Sequence, residues 1–374
     1  MLPYGRQSVA AEDIAAVTKV LAGDWLTTGP AVRSFEERLS EWAGGADCVT
    51  VTSGTAALHV AYAACGIGAG DEIVTSPMTF VATASCAMML GASVAFADVD
   101  DDTALLDPSA AKAAMGSRTR AVVAIDYAGQ PADYDALRHV ADAGGALLVD
   151  DAAHAIGSTY RGRAVGSIAD VTTFSFFPTK NLTTAEGGAV ATTDGEIARR
   201  ARRFRTIGLV RDREDMRYPD EGGWHQEVHE LGLNYRLPDV LCALGEAQLG
   251  RLAAFKARRA ELVARYREAL AEVDGVRLLG VRDDVDPAWH LFPVRVRDGR
   301  RREVYDRMRA AGIGVQVNYV PVYWHPAFED LGYRRGMCPN AEAFYAEELS
   351  LPLFPDLTDA DQDRVVDALL AALR

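Results

Sequence analysis

The chain has 374 residues, of which 49% are apolar and 25% charged, and its formal net charge is −14. This acidic surplus argues against nucleic acid or an anionic membrane surface as the main partner. No apolar run reaches the length of a membrane span, and residues 1–14 lack the succession of a signal peptide. We therefore expect a cytoplasmic protein whose partners are small molecules rather than a nucleic acid or a membrane.

Strands and helices alternate through the first two hundred or so residues. Predicted strands lie at 48–53, 71–77, 92–100, 119–129, 145–154, 171–176 and 187–193. Predicted helices lie at 10–22, 31–42, 55–68, 79–90, 108–115, 133–143 and 195–206. Such alternation predicts an α/β fold with a mostly parallel seven-stranded sheet between helices.

The pattern changes after the charged, Gly- and Pro-punctuated segment 211–226, which we interpret as an exposed loop. The later elements are a long predicted helix at 239–272, strands at 290–296 and 313–318, and helices at 340–348 and 359–373. They predict a smaller α+β lobe. We place the boundary near residue 250, giving a large domain 1–250 and a small C-terminal domain 251–374.

Cysteine and lysine usage narrows the possible chemistry. The five cysteines include no CxxC pair, and free thiols in a reducing compartment are the preferred interpretation. The cysteines are Cys48, Cys65, Cys86, Cys242 and Cys338. Any lysine-dependent reaction has four candidates, because the remaining basic residues are arginine or histidine. The lysines are Lys19, Lys112, Lys180 and Lys256.

Lys180 differs from the other three because it follows the strand 171–176 among aromatic and threonine residues, in "FSFFPTKNLTT". A lysine desolvated at a strand end has a lowered pKa and can act as a Schiff-base nucleophile. A surface lysine that caps a turn explains this stretch equally well.

Two further stretches place polar groups where strands end. In "TSGTAALH" (52–59) a Ser-Gly-Thr turn opens a helix, where backbone N–H groups favour an anion, although Ser and Thr are also ordinary helix caps. In "LLVDDAAH" (147–154) two aspartates end an apolar strand. Such a carboxylate can bind a metal or a cofactor's ring nitrogen. For Asp150 a helix-capping role is the preferred interpretation.

A metal site is not expected. His225 and His229, in "HQEVHE", have a spacing that shares one helical face, but the stretch is not HExxH and adjoins a probable loop segment. One cofactor instead joins the three strand-end stretches. Pyridoxal 5'-phosphate needs a lysine for its aldehyde, an anion cradle for its phosphate and a carboxylate that keeps its ring nitrogen protonated. This requirement favours the Schiff-base interpretation of Lys180.

The sequence resembles the DegT/StrS family of nucleotide-sugar aminotransferases, which have the type I pyridoxal-phosphate fold. The resemblance runs through nearly the whole chain, in "PYGRQSV", "WLTTGP", "SGTAALH", "TFVATAS", "DYAGQPAD", "DDAAHAIGS", "FSFFPTKNLTTAEGGA", "LGLNYRLPDV" and "GIGVQVNYVPVY". Within the family, "YGRQ", "TTAEGGA" and "AEAFYAEELSLP" are similar to the aminotransferases of pseudaminic acid synthesis. Those enzymes use L-glutamate to aminate C4 of a UDP-linked 4-keto-6-deoxy-N-acetylaltrosamine precursor.

The resemblance implies a role for each matching residue. Lys180 would be the Schiff-base lysine and proton shuttle, and Asp151 the partner of the pyridine nitrogen. The other implied cofactor contacts are Gly54, Thr55 and Ser175 at the phosphate, Phe80 on the ring, His154 beside the ring hydroxyl, and Asn234 at the phosphate of the other subunit of a homodimer with shared active sites. The implied contacts to the sugar nucleotide are Tyr4, Thr28, Asn318 and Tyr319.

Two departures concern the sugar pocket. Many relatives have histidine where this chain has Phe177, and the pseudaminic enzymes have histidine where it has Asn318. We therefore expect an aminotransferase that acts on a nucleotide-linked ketosugar with glutamate as donor, and its acceptor stays open. The alternatives are a TDP-ketosugar or cyclitol-ketone aminotransferase, a dehydratase, which Lys180 disfavours because such relatives carry histidine there, and a non-catalytic cofactor-binding regulator.

Overall fold

The computed structural model describes residues 1–374, and helices and strands alternate along it as predicted. The helices are α1 Ala11–Leu21, α2 Pro30–Trp42, α3 Gly54–Ala64, α4 Ala82–Met89, α5 Pro108–Ala114, α6 Tyr134–Gly144, α7 Gly195–Phe204, α8 Asp239–Leu249, α9 Leu252–Leu270, α10 Arg301–Ala310, α11 Pro326–Glu329, α12 Pro339–Glu347 and α13 Asp359–Leu373. The strands are β1 Asp47–Val51, β2 Glu72–Thr75, β3 Ser93–Phe96, β4 Thr119–Ile125, β5 Leu147–Asp151, β6 Thr159–Tyr160, β7 Arg163–Ala164, β8 Val171–Ser175, β9 Gly188–Thr192, β10 Leu209–Val210, β11 Glu227–Val228, β12 Val276–Leu278, β13 Val285–Asp286, β14 Phe292–Val296 and β15 Glu348–Leu351.

A seven-stranded sheet in the order β1-β9-β8-β5-β4-β2-β3 forms the centre of the molecule. Only β9 runs against its neighbours; β2, β3, β4, β5 and β8 pair in parallel, and β1 has the same direction because it also pairs antiparallel with β9. The prediction of a mostly parallel seven-stranded sheet between helices is therefore confirmed. It follows that β1, β5 and β8 all end at one edge of the sheet, where ligands bind in such folds.

Both faces of this sheet are covered, because alternate residues of each strand point to opposite faces. Within β5, Val149 belongs to one apolar cluster and Leu148 to another. Helices α3 and α4 contribute to the first cluster, and helices α2 and α6 to the second. The same alternation separates two neighbouring aspartates. Asp150 lies on the face of Leu148, and Asp151 lies on the face of Val149.

A second, three-stranded antiparallel sheet in the order β12-β14-β15 lies in the last third of the chain and packs with α9, α10 and α13 around a third apolar cluster. This agrees with the expected α+β composition of that region. The predicted boundary near residue 250 coincides with the junction of α8 and α9, and the division into two domains stays a prediction.

Two of the predicted elements in this region were wrong. The helix expected over 239–272 is two helices. Helix α8 ends at Leu249 and α9 begins at Leu252, with Gly250 and Arg251 between them. The stretch 313–318 is not a strand, because it forms only two isolated bridges, Leu2 with Ile313 and Gln316 with Ser350. Residues 225–230 are not helical either, so His225 and His229 do not share a helical face. No helix in the chain combines the length and apolar character needed to cross a bilayer.

Candidate active site

A cavity of about 360 Å³ opens at the edge of the large sheet where β1, β5 and β8 end. Its wall combines these strand ends with the Asn318 segment from the C-terminal region. Ten of the residues singled out from the sequence lie in this wall, and they are Tyr4, Gly54, Thr55, Phe80, Asp151, His154, Ser175, Lys180, Asn318 and Tyr319. Residues that are far apart in the chain are thus brought to one site.

Lys180 lies on the turn that follows β8, where its N–H donates to the Phe177 carbonyl at 2.9 Å. The next residue, Asn181, is buried and fastens this turn by donating through Nδ2 to the carbonyls of His154 (3.2 Å) and Ala288 (2.7 Å). Burial lowers the pKa of Lys180 from 10.5 to about 8, and the nearby Asp151 carboxylate opposes that shift. An amine with such a pKa exchanges its proton readily near neutral pH.

Asp151 ends β5 with its side chain on the cavity face of the sheet. One carboxylate oxygen accepts a hydrogen bond from the Thr83 hydroxyl at 2.6 Å, and the other accepts from the Ala153 N–H at 3.2 Å. Burial raises the pKa of Asp151, whereas these two hydrogen bonds and the charge of Lys180 lower it. The carboxylate is therefore fixed in orientation close to an ammonium group.

Asp150 points to the opposite face, where its Oδ2 lies 2.7 Å from the Tyr134 hydroxyl. That hydroxyl is equally close to Asp126. Asp150 is thus neither a cavity residue nor the helix cap that the sequence suggested, because the pleat of β5 turns it into the core.

The turn after β1 presents the N-terminus of α3 to the cavity. The Ser53 hydroxyl caps α3 by accepting from the Ala56 N–H at 3.0 Å, as the capping interpretation predicted, and it keeps its own proton to donate. Gly54 and Thr55 follow at the N-terminus of α3, where backbone N–H groups have no helical partner. Gly54 packs so closely on β8 that an added Cβ would lie 2.7 Å from the Cβ of Ser175. This glycine lets the Ser175 hydroxyl approach the helix terminus.

His154 and Tyr319 form a second wall. The His154 Nε2 lies 3.1 Å from the Tyr319 hydroxyl, and the His154 ring packs on His290 with centroids 4.4 Å apart. Burial, followed by the charge of Lys180, lowers the pKa of His154 well below its ordinary value, so the ring is neutral. Its buried Nδ1 has no partner in the chain. Phe80, in contrast, leaves 57% of its surface exposed at the cavity.

Two predicted residues lie outside this cavity. Thr28 is exposed and donates its hydroxyl to the Thr27 carbonyl. Asn234 is exposed, and its backbone forms an isolated antiparallel bridge with Thr206. An Asn234 outside its own cavity is compatible with a contact made to another subunit.

Sequence reasoning missed several residues of the wall and its support. Thr83 lies within "TFVATAS", three residues after Phe80. In a helix this spacing places both side chains on one face, so Thr83 could have been predicted near the site. Glu186 lies within "TTAEGGA" in the same way. Gln316 likewise lies within "GIGVQVNYVPVY". His290 belongs to a stretch without a local signature, since only the fold brings it to the cavity.

Residues 7–370 match the model of the DegT/DnrJ/EryC1/StrS aminotransferase family. The chain belongs to this family. Among curated proteins it is 40% identical to the spore coat polysaccharide biosynthesis protein SpsC of Bacillus subtilis, with 98% of this chain and 96% of that protein covered.

Solved structures of family members superpose over almost the whole chain. The pyridoxal-phosphate form of a putative sugar aminotransferase of Streptococcus pneumoniae, Spr1654, has a TM-score of 0.93 at 28% identity, covering 100% of this chain and 98% of that one. PseC of Helicobacter pylori, an aminotransferase involved in the biosynthesis of pseudoaminic acid, has a TM-score of 0.93 at 29% identity, covering 100% and 99%. The DegT/StrS protein described here is therefore a pyridoxal-phosphate-dependent sugar aminotransferase, with a nucleotide sugar and an amino donor as its substrates.

The residues of the cavity fit this cofactor. Gly54, Thr55 and Ser175 would form a cradle for its phosphate, Asp151 would offer a carboxylate to its ring nitrogen, and Lys180 would offer an amine to its aldehyde. When bound, pyridoxal phosphate supplies the electron sink that lets an amine-bearing carbon lose a proton. The unpartnered Nδ1 of neutral His154 would be completed by a bound ligand, as is usual for buried polar atoms.

The close contact of Gly54 with Ser175 predicts a loss of cofactor affinity in Gly54→Ala. The added methyl group would push the Ser175 hydroxyl out of the cradle, and overpacking of this kind costs about 1–3 kcal/mol, or about 5- to 150-fold in affinity. Titration of the apoprotein with pyridoxal phosphate measures this. Gly195→Ala is the matched control, because an added Cβ there meets no atom within 4 Å. Equal affinities for the two variants would contradict the cradle.

Proposed function

We propose that the protein transfers an amino group from L-glutamate to C4 of a nucleotide-linked 4-keto-6-deoxy sugar, with the UDP-linked N-acetylaltrosamine precursor of pseudaminic acid as the first candidate. The observation that carries the proposal is the full-length likeness to PseC. The cavity wall adds support, because it includes both Lys180 and the three residues Tyr4, Asn318 and Tyr319, which resemble sugar-contacting positions of the family.

Each residue has a proposed task. Lys180, with a pKa of about 8, takes a proton from the amino-acid carbon as a free amine and returns it to the cofactor as an ammonium group. Asp151 would stabilise a positive charge on the ring nitrogen of the bound cofactor, and Thr83 keeps the Asp151 carboxylate in place. In the second half-reaction the same groups move the proton in the opposite sense, onto the sugar carbon that bore the ketone.

An acceptor panel tests this assignment. The purified protein, pyridoxal phosphate and L-glutamate are mixed with UDP- and TDP-linked 4-ketosugars, and the products are read by mass spectrometry. We expect amination of the UDP-linked N-acetylaltrosamine precursor. Amination of other ketosugars with that one left unchanged would contradict the proposed acceptor while keeping the reaction class.

A second candidate is an aminotransferase for another nucleotide-linked ketosugar of surface-glycan assembly. It is favoured by the 40% identity to SpsC, whose name places that protein in spore coat polysaccharide biosynthesis. Phe177 supports it as well, because this cavity-lining side chain, 46% exposed, places an apolar ring where many relatives have histidine. Phe177→His is the variant that separates the candidates. If the ring selects the acceptor, the variant changes the ranking of the panel and leaves the rate with glutamate unchanged.

We also propose a homodimer in which each active site takes Asn234 from the other subunit. The surface around Asn234 supports this, because large apolar side chains lie exposed on it. The most exposed within residues 224–234 are Leu231 (91%), Trp224 (82%) and Val228 (54%). A second copy would bury these side chains, and a two-fold interface would place both copies of Asn234 symmetrically.

Co-expression of two inactive variants tests the shared site. Lys180→Ala lacks the amine in its own cavity, and Asn234→Asp would direct a carboxylate at the partner's phosphate. In a mixed dimer one of the two sites has both native residues, so random pairing restores about a quarter of the wild-type sites. If co-expressed variants have no more activity than each one alone, the shared active site is wrong.

A further inference from the structure

A fully buried chain of hydrogen bonds runs from β15 to the cavity. The Glu348 carboxylate accepts the Asn318 N–H at 2.7 Å and the Ser350 hydroxyl at 2.6 Å. The Ser350 oxygen in turn lies 3.0 Å from the Asn318 Nδ2. Glu348 and Ser350 are 0% exposed, whereas Asn318 lines the cavity. The chain therefore connects a buried carboxyl group to a side chain at the ligand site.

The main chain of Asn318 is held from a second side, because its carbonyl accepts the Tyr127 hydroxyl at 2.5 Å. The neighbouring Tyr319 reaches His154 through its hydroxyl. Hydrogen bonds thus hold both the N–H and the carbonyl of Asn318, and its side-chain amide can still rotate. Rotation of its amide by half a turn exchanges an acceptor for a donor at the cavity.

Proton counting decides which end of that amide faces the ligand. A serine hydroxyl has one proton to donate. When Glu348 is ionised, Ser350 donates to it and can only accept from Asn318, so Nδ2 points to Ser350 and the Oδ1 acceptor is left for the ligand. When Glu348 is protonated, it donates to Ser350, whose own proton then turns to the Oδ1 of Asn318. The Nδ2 donor is then left for the ligand.

We propose that Glu348, acting through Ser350, sets which end of the Asn318 amide meets the acceptor sugar, which makes Asn318 a proton-linked specificity determinant. This inference rests on the proposed acceptor half-reaction. The ionised form selects a hydroxyl or amide N–H on the sugar at this point, and the protonated form selects a carbonyl or ether oxygen. Glu348 and Ser350 are positioning residues, since neither lines the cavity.

The charged and titratable groups around Glu348 allow both forms. Burial raises the pKa of Glu348 to about 8, while hydrogen bonds from Ser350 and the Asn318 N–H and the charge of Arg301 oppose that shift. Tyr127 and Tyr319 also face it, and burial raises the pKa of both phenols, so they stay neutral. Arg295, its partner residue on β14, is engaged with Asp101 and Glu347 instead. No neighbour therefore locks Glu348 in one state.

Glu348→Gln tests the inference, because glutamine keeps an acceptor for the Asn318 N–H and permanently donates to Ser350, as protonated glutamate does. The half-reactions with glutamate and with the UDP-linked 4-ketosugar are measured separately from pH 6 to pH 10, from the absorbance of the holoenzyme. We expect the variant-to-wild-type ratio of kcat/KM for the ketosugar to change by about 3- to 10-fold across this range, the value of one hydrogen bond. The same ratio for glutamate stays constant.

Ser350→Ala is the second variant, because it interrupts the relay with the loss of one oxygen atom and leaves Glu348 in place. It should remove the same pH-dependent component from the ketosugar half-reaction. A ratio that does not vary with pH in either variant, or that varies equally for both substrates, would overturn the inference. Failure of the proposed function is distinguishable, since wild-type protein would then aminate no ketosugar, and Asn318 would have no acceptor to select.

Discussion

Lys180→Ala is expected to abolish turnover, with a fall of at least about 1,000-fold in the rate of each half-reaction. Two other titratable groups interact with this amine, and neither is expected to replace it as the base. Burial lowers the pKa of His154 well below its ordinary value, which makes its ring a weak base, and both carboxylate oxygens of Asp151 already accept hydrogen bonds. The loss should appear in single-turnover measurements with glutamate as a failure to form 2-oxoglutarate.

Lys112→Ala is the matched control, because Lys112 is exposed on α5 and its substitution removes an amine far from the cavity. It should retain the wild-type rate. Added methylamine should partly rescue Lys180→Ala, since a small amine can occupy the vacated space and move the proton. Multiple turnovers by Lys180→Ala without added amine would show that another group does this work.

Asp151→Asn is expected to slow the half-reaction with glutamate by about 100-fold or more. The amide has nearly the same shape and can still bond to the Thr83 hydroxyl or the Ala153 N–H, but it carries no charge for a protonated ring nitrogen. Leaving a buried charge without its partner costs about 3–5 kcal/mol, which corresponds to more than a hundredfold in rate. Single-turnover kinetics with glutamate measure the loss.

The neighbouring aspartate provides the control. Asp150→Asn makes the same chemical change one residue away, but its side chain faces Tyr134 across the sheet. Burial and the nearby Asp126 raise the pKa of Asp150 well above its ordinary value. Because its side chain lies outside the cavity, Asp150→Asn leaves the groups of the cavity wall in place. It should keep a rate within about threefold of wild type. Equal losses in the two variants would contradict the role of Asp151.

The large sheet could be predicted from the sequence because each strand carries its own signal. The strand predicted at 145–154, for example, contains an apolar run that ends in aspartates, and β5 spans Leu147–Asp151 within it. The cavity could be predicted as well, since Asp151 ends a strand, Gly54 and Lys180 follow strands, and parallel strands end at one edge. The three residues could be assigned to one site because a single cofactor needs all three groups. Their spacing in the chain did not indicate this.

The elements that were predicted incorrectly, and the contacts that were missed, share a physical cause. Each depends on residues that are distant in the chain. The apolar alternation at 313–318 suggested a strand, but Gln316 finds only a single bridge, to Ser350. The helical spacing across 239–272 continues through Gly250, so periodicity alone could not place the break between α8 and α9. The tie from Glu348 to Asn318 spans 30 positions and has no local sequence signature.

The central claim is that this DegT/StrS aminotransferase moves nitrogen from glutamate to C4 of a nucleotide-linked 4-ketosugar. The most direct measurement supplies ¹⁵N-labelled L-glutamate with the UDP-linked 4-keto-6-deoxy-N-acetylaltrosamine precursor and locates the label in the product by NMR. We predict ¹⁵N bonded to C4 of the sugar and the formation of an equal amount of 2-oxoglutarate. Label at another carbon, or 2-oxoglutarate limited to one equivalent per active site with unlabelled sugar, would contradict the claim.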